Sequence, residues 1–233
     1  MNTTVKAQSA DEVESKFGYD FFIGNTQSEL DERVQLGKFL MAASRASLLQ
    51  YPLEVTPTRD RKPDFQLFLG GKTISAEATK IANKELEWAR GLQRRSKLGT
   101  MYVTPFLKPA TEKRDRAGVL NEGFATPAFV IGNTAEEEDA FWLKQAEDML
   151  RRKTEIFRRP DFERRQENWL LLWDKLRSSD SDLERRVPIL SELLREFWGS
   201  TWFDKVIVEH EFFECFVILT PNDVSWLPSS PRQ

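Results

Sequence analysis

Two glycines, Gly70 and Gly71, separate two stretches in which apolar and polar residues alternate, and this constrains the fold more than any other feature of the chain. A Gly-Gly pair is a preferred two-residue β-hairpin loop, because the tight turn needs backbone angles that side chains disfavour. With that loop, Leu69 pairs with Lys72 and Asp64 falls opposite Glu77. The faces sort cleanly in this register. Phe65, Leu67, Ile74 and Ala76 share one side, while Asp64, Gln66, Ser75, Glu77 and Thr79 share the other, where only Phe68 breaks the polar pattern. A slip of one residue would scramble the sorting. The expected strands are 64–69 and 72–79.

Directly opposed strand residues lie about 4.5–5.5 Å apart at Cβ, and like charges there repel. Two arrangements relieve Asp64 and Glu77. A hard divalent cation such as Mg²⁺ takes carboxylate oxygens. Alternatively, water and salt screen a solvated hairpin face.

The 233 residues suffice for one large domain, and seven tryptophans supply material for its core. One cysteine, Cys215, excludes an internal disulfide framework and suits a reducing, cytoplasmic setting. With a single histidine, His210, a Cys/His zinc site is excluded, and chemistry must rest on carboxylates, lysines or hydroxyls. The first fifteen residues are polar and mixed in charge, unlike a secretory signal. No apolar run approaches the ~20 residues that span a bilayer, so no membrane partner is expected. The net charge of −3 conceals an uneven distribution. From Lys84 to Arg116, nine basic residues meet four acidic ones, and a second basic cluster runs from Arg151 to Arg165. A basic region on an acidic body suits a phosphate backbone, although mixed solvated helix faces produce similar counts.

Residues 1–25 read as an irregular lead-in. Residues 27–49 read as a helix capped by Thr26 or Ser28, with Leu30, Val34, Met41 and Leu48 at helical spacing. Residues 51–56 read as a strand stopped by Pro57. A helix is expected over 83–95, a low-pattern stretch over 96–123 and a short strand at 128–131. The domain reading is a single unit with 83–125 as a basic insertion and 228–233 as a frayed tail. Residues 135–158 read as an amphipathic helix ending before Pro160. Trp169 to Trp173 is an unbroken apolar run, the mark of a central strand covered on both faces. A helix over 189–197 and strands over 203–208 and 215–219 complete the chain. The 135–158 helix supplies the crossover that makes its flanking strands parallel. Glu209-His210-Glu211 reads as a polar hairpin tip.

This order, with Pro63-Asp64 opening one strand and Glu77-x-Thr79 ending the next, resembles the PD-(D/E)xK nuclease superfamily. The match covers about 27–80 and 135–208. The amphipathic helix with Lys153, followed by Trp-Leu-Leu-Leu-Trp-Asp, is similar to a Glu-x-Thr variant group of bacterial proteins in that superfamily. The resemblance implies an α/β fold, a three-layer α/β/α sandwich with a mixed central sheet of about five strands and a restriction-endonuclease-like core. It implies Mg²⁺ or Mn²⁺ held by Asp64, Glu77 and the carbonyl of Ala78, with Glu29 as an added ligand, and hydrolysis of phosphodiesters in DNA or RNA. Thr79 departs from the pattern, standing where those enzymes carry lysine. Lys80 is adjacent but should point to the other side of the strand unless a bulge re-aims it. Lys153 is the better substitute, since some members take their lysine from the crossover helix; an ordinary surface lysine is the competing reading. Arg90, Arg94, Arg95, Lys97, Arg114 and Arg116 would grip the nucleic-acid backbone. Double-strand cutters of the superfamily pair, so a homodimer belongs to the same expectation. The rival functional readings are a catalytically silent member that binds nucleic acid or protein, supported by Thr79, and an interaction protein with solvated basic helices.

Overall fold

The computed structural model describes residues 4–17, 21, 26–58, 63–82, 135–174, 183–199, 202–210 and 215–228. Among these, eight strands form one mixed sheet and four helices pack against it. The strands are β1 (Val5–Ala7), β2 (Leu53–Pro57), β3 (Phe65–Leu69), β4 (Lys72–Ile81), β5 (Glu167–Asp174), β6 (Lys205–His210), β7 (Cys215–Leu219) and β8 (Val224–Pro228). The helices are α1 (Ala10–Lys16), α2 (Gln27–Arg45), α3 (Ala135–Phe157) and α4 (Leu183–Arg195). The expected restriction-endonuclease-like core, three layers about a sheet of about five strands, is thereby overturned. Strand order in the sheet follows strand order in the chain from β1 to β8.

The Gly70-Gly71 turn sets the first half. Both glycines have positive φ, 54° and 90°, as a two-residue loop of the I′ kind requires. The ladder runs from Leu69↔Lys72 to Phe65↔Ala76 in the register the alternation dictates. β5 lies between parallel neighbours, β4 and β6, and is buried along nearly its whole length. Its apolar run therefore serves two cores. Trp169 and Leu171 join Leu36, Phe39 and Leu40 of α2 on one face, whereas Leu170 and Leu172 join Trp142, Leu150 and Leu190 of α3 and α4 on the other. The helices α3 and α4 both pack on that second face.

The unforeseen strands are those with least periodic signal. β1 has three residues, yet Val5↔Val55 and Ala7↔Leu53 extend the sheet where a lead-in was expected. Ser9 caps α1 by accepting the N–H of Glu12, and Val13 and Phe17 are buried. β8 exposes Val224, Ser225, Trp226 and Pro228 and buries Leu227, so half-burial of alternate residues is absent. Two helices also differ from expectation. α2 buries Leu36, Phe39, Leu40 and Ala43, whereas Leu48, taken as part of its apolar stripe, is 56% exposed. α4 begins at Leu183 and carries Pro188 inside it. The helix tolerates that missing N–H because buried Val187, Leu190 and Leu194 anchor it, and Arg186 reaches Asp139 of α3 at 2.9 Å. The expected elements at 83–95, 96–123 and 128–131, the insertion 83–125 and residues 229–233 of the expected 228–233 tail lie outside the described residues, whereas Pro228 closes β8. Among the described residues no helix is long and apolar enough to cross a membrane.

One carboxylate ties the three parallel strands together at their entry. Glu167 accepts hydrogen bonds from Lys72 Nζ of β4 at 2.7 Å and Lys205 Nζ of β6 at 3.1 Å. Burial pushes the Glu167 carboxyl up, but the two ammonium groups outweigh it and hold its pKa at about 2. A depressed carboxyl contributes stability above its unfolded value, near ~4.3, and loses it as pH falls toward the folded value. Glu167→Gln is expected to flatten the decline in unfolding free energy between about pH 4.5 and 2. Urea titrations at successive pH values measure the slope, and an unchanged acid limb would refute the linkage.

Candidate functional site

Along β4, Ile74, Ala76 and Ala78 face the core shared with α2, so Ser75, Glu77 and Thr79 face the side covered by α3. Glu77 is fully buried there. A lone buried carboxylate is costly, and this one meets a cation. Lys153 Nζ donates to Glu77 Oε1 at 2.6 Å and to the carbonyl of Ala78 at 3.0 Å. Lys153 is itself only 6% exposed. Its placement follows from helix periodicity, because Trp142, Ala146, Met149, Leu150, Lys153 and Phe157 recur on the buried face of α3. The lysine occupies a core position rather than the solvated surface.

Asp64 stands just before β3, half-buried, and its Oδ2 accepts the backbone N–H of Ala78 at 2.9 Å. The two acids thus converge on one residue. Asp64 binds the amide of Ala78, and Glu77 shares the ammonium of Lys153 with the carbonyl of Ala78. Two further polar side chains of this face are engaged structurally. Ser75 Oγ bonds Asn168 Oδ1 at 2.6 Å, and Gln66 Nε2 donates to Glu163. The β4–β5 register runs unbroken from Ile74↔Glu167 to Ile81↔Asp174, so no bulge turns Lys80 toward Glu77.

Beside the pair, a cavity of about 240 Å³ opens where the end of β4 meets α2 and α3. Thr79, Lys80, Arg152 and Lys153 line it, with Trp173 of β5 as a wall. From α2 come Ser28, Asp31, Glu32 and Gln35, but Glu29 is not among them. Gln35 and Arg152 were not singled out in the sequence. The available signal for Gln35 was its spacing, since it stands one helical turn before Phe39 on the buried face of α2. Arg90, Arg94, Arg95, Lys97, Arg114 and Arg116 lie outside the described residues.

Other candidates resolve into packing. Glu209 is buried and paired with Lys38 at 2.8 Å, and Glu209 and His210 belong to β6 rather than to a hairpin tip. Burial pushes the Cys215 thiol up, away from nucleophilic service. Within the second basic cluster, Arg151 is held by Glu147 at 2.7 Å and Arg165 by Glu163 at 2.5 Å.

No family model, no curated protein and no solved structure matches the chain, so the site is read from its own geometry. Among the described residues no cluster of three or more His, Cys, Asp or Glu side chains is shaped to hold a metal ion. The candidate donors are instead two carboxylates, of Asp64 and Glu77, and the carbonyl of Ala78. An all-oxygen set suits Mg²⁺ or Mn²⁺, and the Lys153 ammonium already marks a point where one cation reaches two of the three residues.

Removing one partner of a buried ion pair costs about 3–5 kcal/mol, since the other charge stays desolvated. Lys153→Met is expected to destabilise the fold by about that amount in urea titrations, and Glu77→Gln added to it should restore part of the loss. A loss in the single variant below about 1 kcal/mol, the range of an exposed pair, would show that the contact does not hold the site together.

Proposed function

We propose that this chain is a Mg²⁺- or Mn²⁺-dependent phosphodiesterase acting on DNA or RNA through a PD-(D/E)xK-like site. Asp64, Glu77 and the Ala78 carbonyl are its metal ligands, and Lys153 is its lysine. The observation that carries this reading is the Lys153 ammonium bridging Glu77 and Ala78 beside an open cavity. Burying a Lys–Glu pair is a poor way to gain stability, since well-packed apolar residues often do as well or better. Its position beside a cavity lined by further cations suits a phosphodiester substrate.

When bound, the ion would supply Lewis-acid polarisation of the phosphate and an acidified water. The protein's own groups do the rest. Glu77 is fixed by burial in the strand, and Asp64 is oriented by the Ala78 N–H. Lys153 carries positive charge to the cavity wall, where it can offset charge developing on phosphate oxygens and orient the attacking water. Thr79 offers a hydroxyl on the same side of β4. It supplies a hydrogen bond but no charge, which leaves Lys153 as the positive group nearest Glu77. Arg90, Arg94, Arg95, Lys97, Arg114 and Arg116 are proposed as backbone contacts on their charge alone.

The same bridging contact also favours a second reading. A lysine that permanently holds both oxygens replaces the metal, and the chain then works as a silent nucleic-acid-binding module. Calorimetry with Mg²⁺ or Mn²⁺ separates the two. The wild type is expected to bind the ion, Asp64→Ala to lose the heat, and Lys153→Met to keep it. Hydrolysis of generic single- and double-stranded oligonucleotides should fall about 10²–10⁴-fold in Lys153→Met, the usual contribution of a positioned proton-transfer group. Equal heats in wild type and Asp64→Ala would remove the metal site and the nuclease reading with it.

A further inference from the structure

The cavity beside Lys153 contains a hydrogen-bond donor with no acceptor. Gln35 is 2% exposed, lines the cavity, and its Nε2 has no hydrogen-bond partner among the described residues. An unsatisfied buried amide destabilises the fold, and the neighbouring positions Leu36, Phe39 and Leu40 show that α2 fills this face with hydrocarbon. A glutamine kept here suits a ligand that accepts hydrogen bonds. The other lining groups narrow its chemistry. Lys80, Arg152 and Lys153 are donors only and cationic, and the hydroxyl of Thr79 adds a further donor. The two acids on the wall are engaged along their own helix. Asp31 accepts from Gln27 Nε2 at 2.8 Å, and Glu32 accepts from the Ser28 hydroxyl at 3.1 Å.

We infer that this cavity is a phosphate subsite. Gln35 Nε2 donates to a phosphoryl oxygen at its base, and Lys80 and Arg152 balance the charge at its wall. The cavity of about 240 Å³ is far above the ~10–15 Å³ needed to admit a single water, leaving room for a phosphate. As part of a polynucleotide, the bound group would be a phosphate neighbouring the scissile one. That placement rests on the phosphodiesterase reading, whereas the anion site does not.

Inorganic phosphate, titrated calorimetrically into metal-free protein, is the direct probe. The wild type is expected to bind it, and Gln35→Leu to bind it about tenfold more weakly, the value of one lost hydrogen bond to a charged group. Gln35→Leu should melt no lower than wild type, because it removes an unsatisfied polar group. Gln35→Glu, which keeps the size and adds a negative charge, should bind no phosphate. Arg152→Ala should weaken binding and reduce its salt dependence. No phosphate heat in the wild type, or wild-type affinity in both Gln35→Leu and Gln35→Glu, would overturn the subsite while leaving the metal titration to judge the nuclease reading. Phosphate binding that depends on Gln35, together with equal metal heats in wild type and Asp64→Ala, would keep the anion site and discard its placement beside a scissile bond.

Discussion

The contact between Lys153 and Glu77 governs the arrangement around it. A carboxylate with no solvent exposure needs a compensating charge, and the only direction left open to Glu77 is the face of β4 that α3 covers. The lysine must therefore come from α3, from the stripe that packs on the sheet, and its stem must replace apolar volume between Leu150 and Phe157. Once there, the ammonium also takes the Ala78 carbonyl, while Asp64 takes the Ala78 amide. One residue of backbone thus carries both acids and the cation. The site inherits its rigidity from a central strand held on either side by β3 and β5.

The neighbouring cavity complements this dry pair. Its walls combine donors from the end of β4, from α3 and from α2, three elements brought together where the parallel strands end. Ligands of α/β proteins commonly enter at the carboxyl ends of parallel strands, where connecting segments diverge and leave space. Here the space is bounded by α2 on one face of the sheet and α3 on the other, so it receives residues from both sides: Lys80 and Trp173 from the α2 side, Thr79 and Lys153 from the α3 side. Thr79 and Lys80 alternate across the strand yet meet the same cavity.

Much of this was legible in the sequence wherever a local rule fixes a long-range consequence. The Gly70-Gly71 loop sets a register and, with it, which side Glu77 faces. The Trp169–Trp173 run announces a strand buried on both sides. Lys153 was identifiable because it falls in the apolar stripe of its helix. What escaped lacks such a rule. The stripe through Leu30, Val34, Met41 and Leu48 lies beside rather than on the buried face at Leu36, Phe39, Leu40 and Ala43, and Leu48 falls beyond the end of α2 at Arg45. β1 is too short and β8 too exposed for alternation to register, so the sheet is wider than expected. The helix expected over 189–197 begins earlier, at Leu183, because the packing of Val187 and Arg186 carries it through Pro188. Glu29 came from the resemblance alone, whereas the lining of the cavity depends on which turn of α2 lies beside the end of β4.

The sheet places each strand beside its neighbours in the chain, so most ladders close over short loops, and such local closure favours rapid assembly. The Glu77–Lys153 pair, like the β4–β5 ladder beside it, joins distant parts of the chain, its members being 76 residues apart. A nascent chain that has emerged only through β4 has the hairpin and both acids but not yet the lysine that lets Glu77 leave water. The first half of the protein therefore has an electrostatic reason to stay loosely packed on that face until α3 arrives. Maturation of the interior and completion of the reactive centre become the same event, so a partly made or truncated chain would lack the assembled centre.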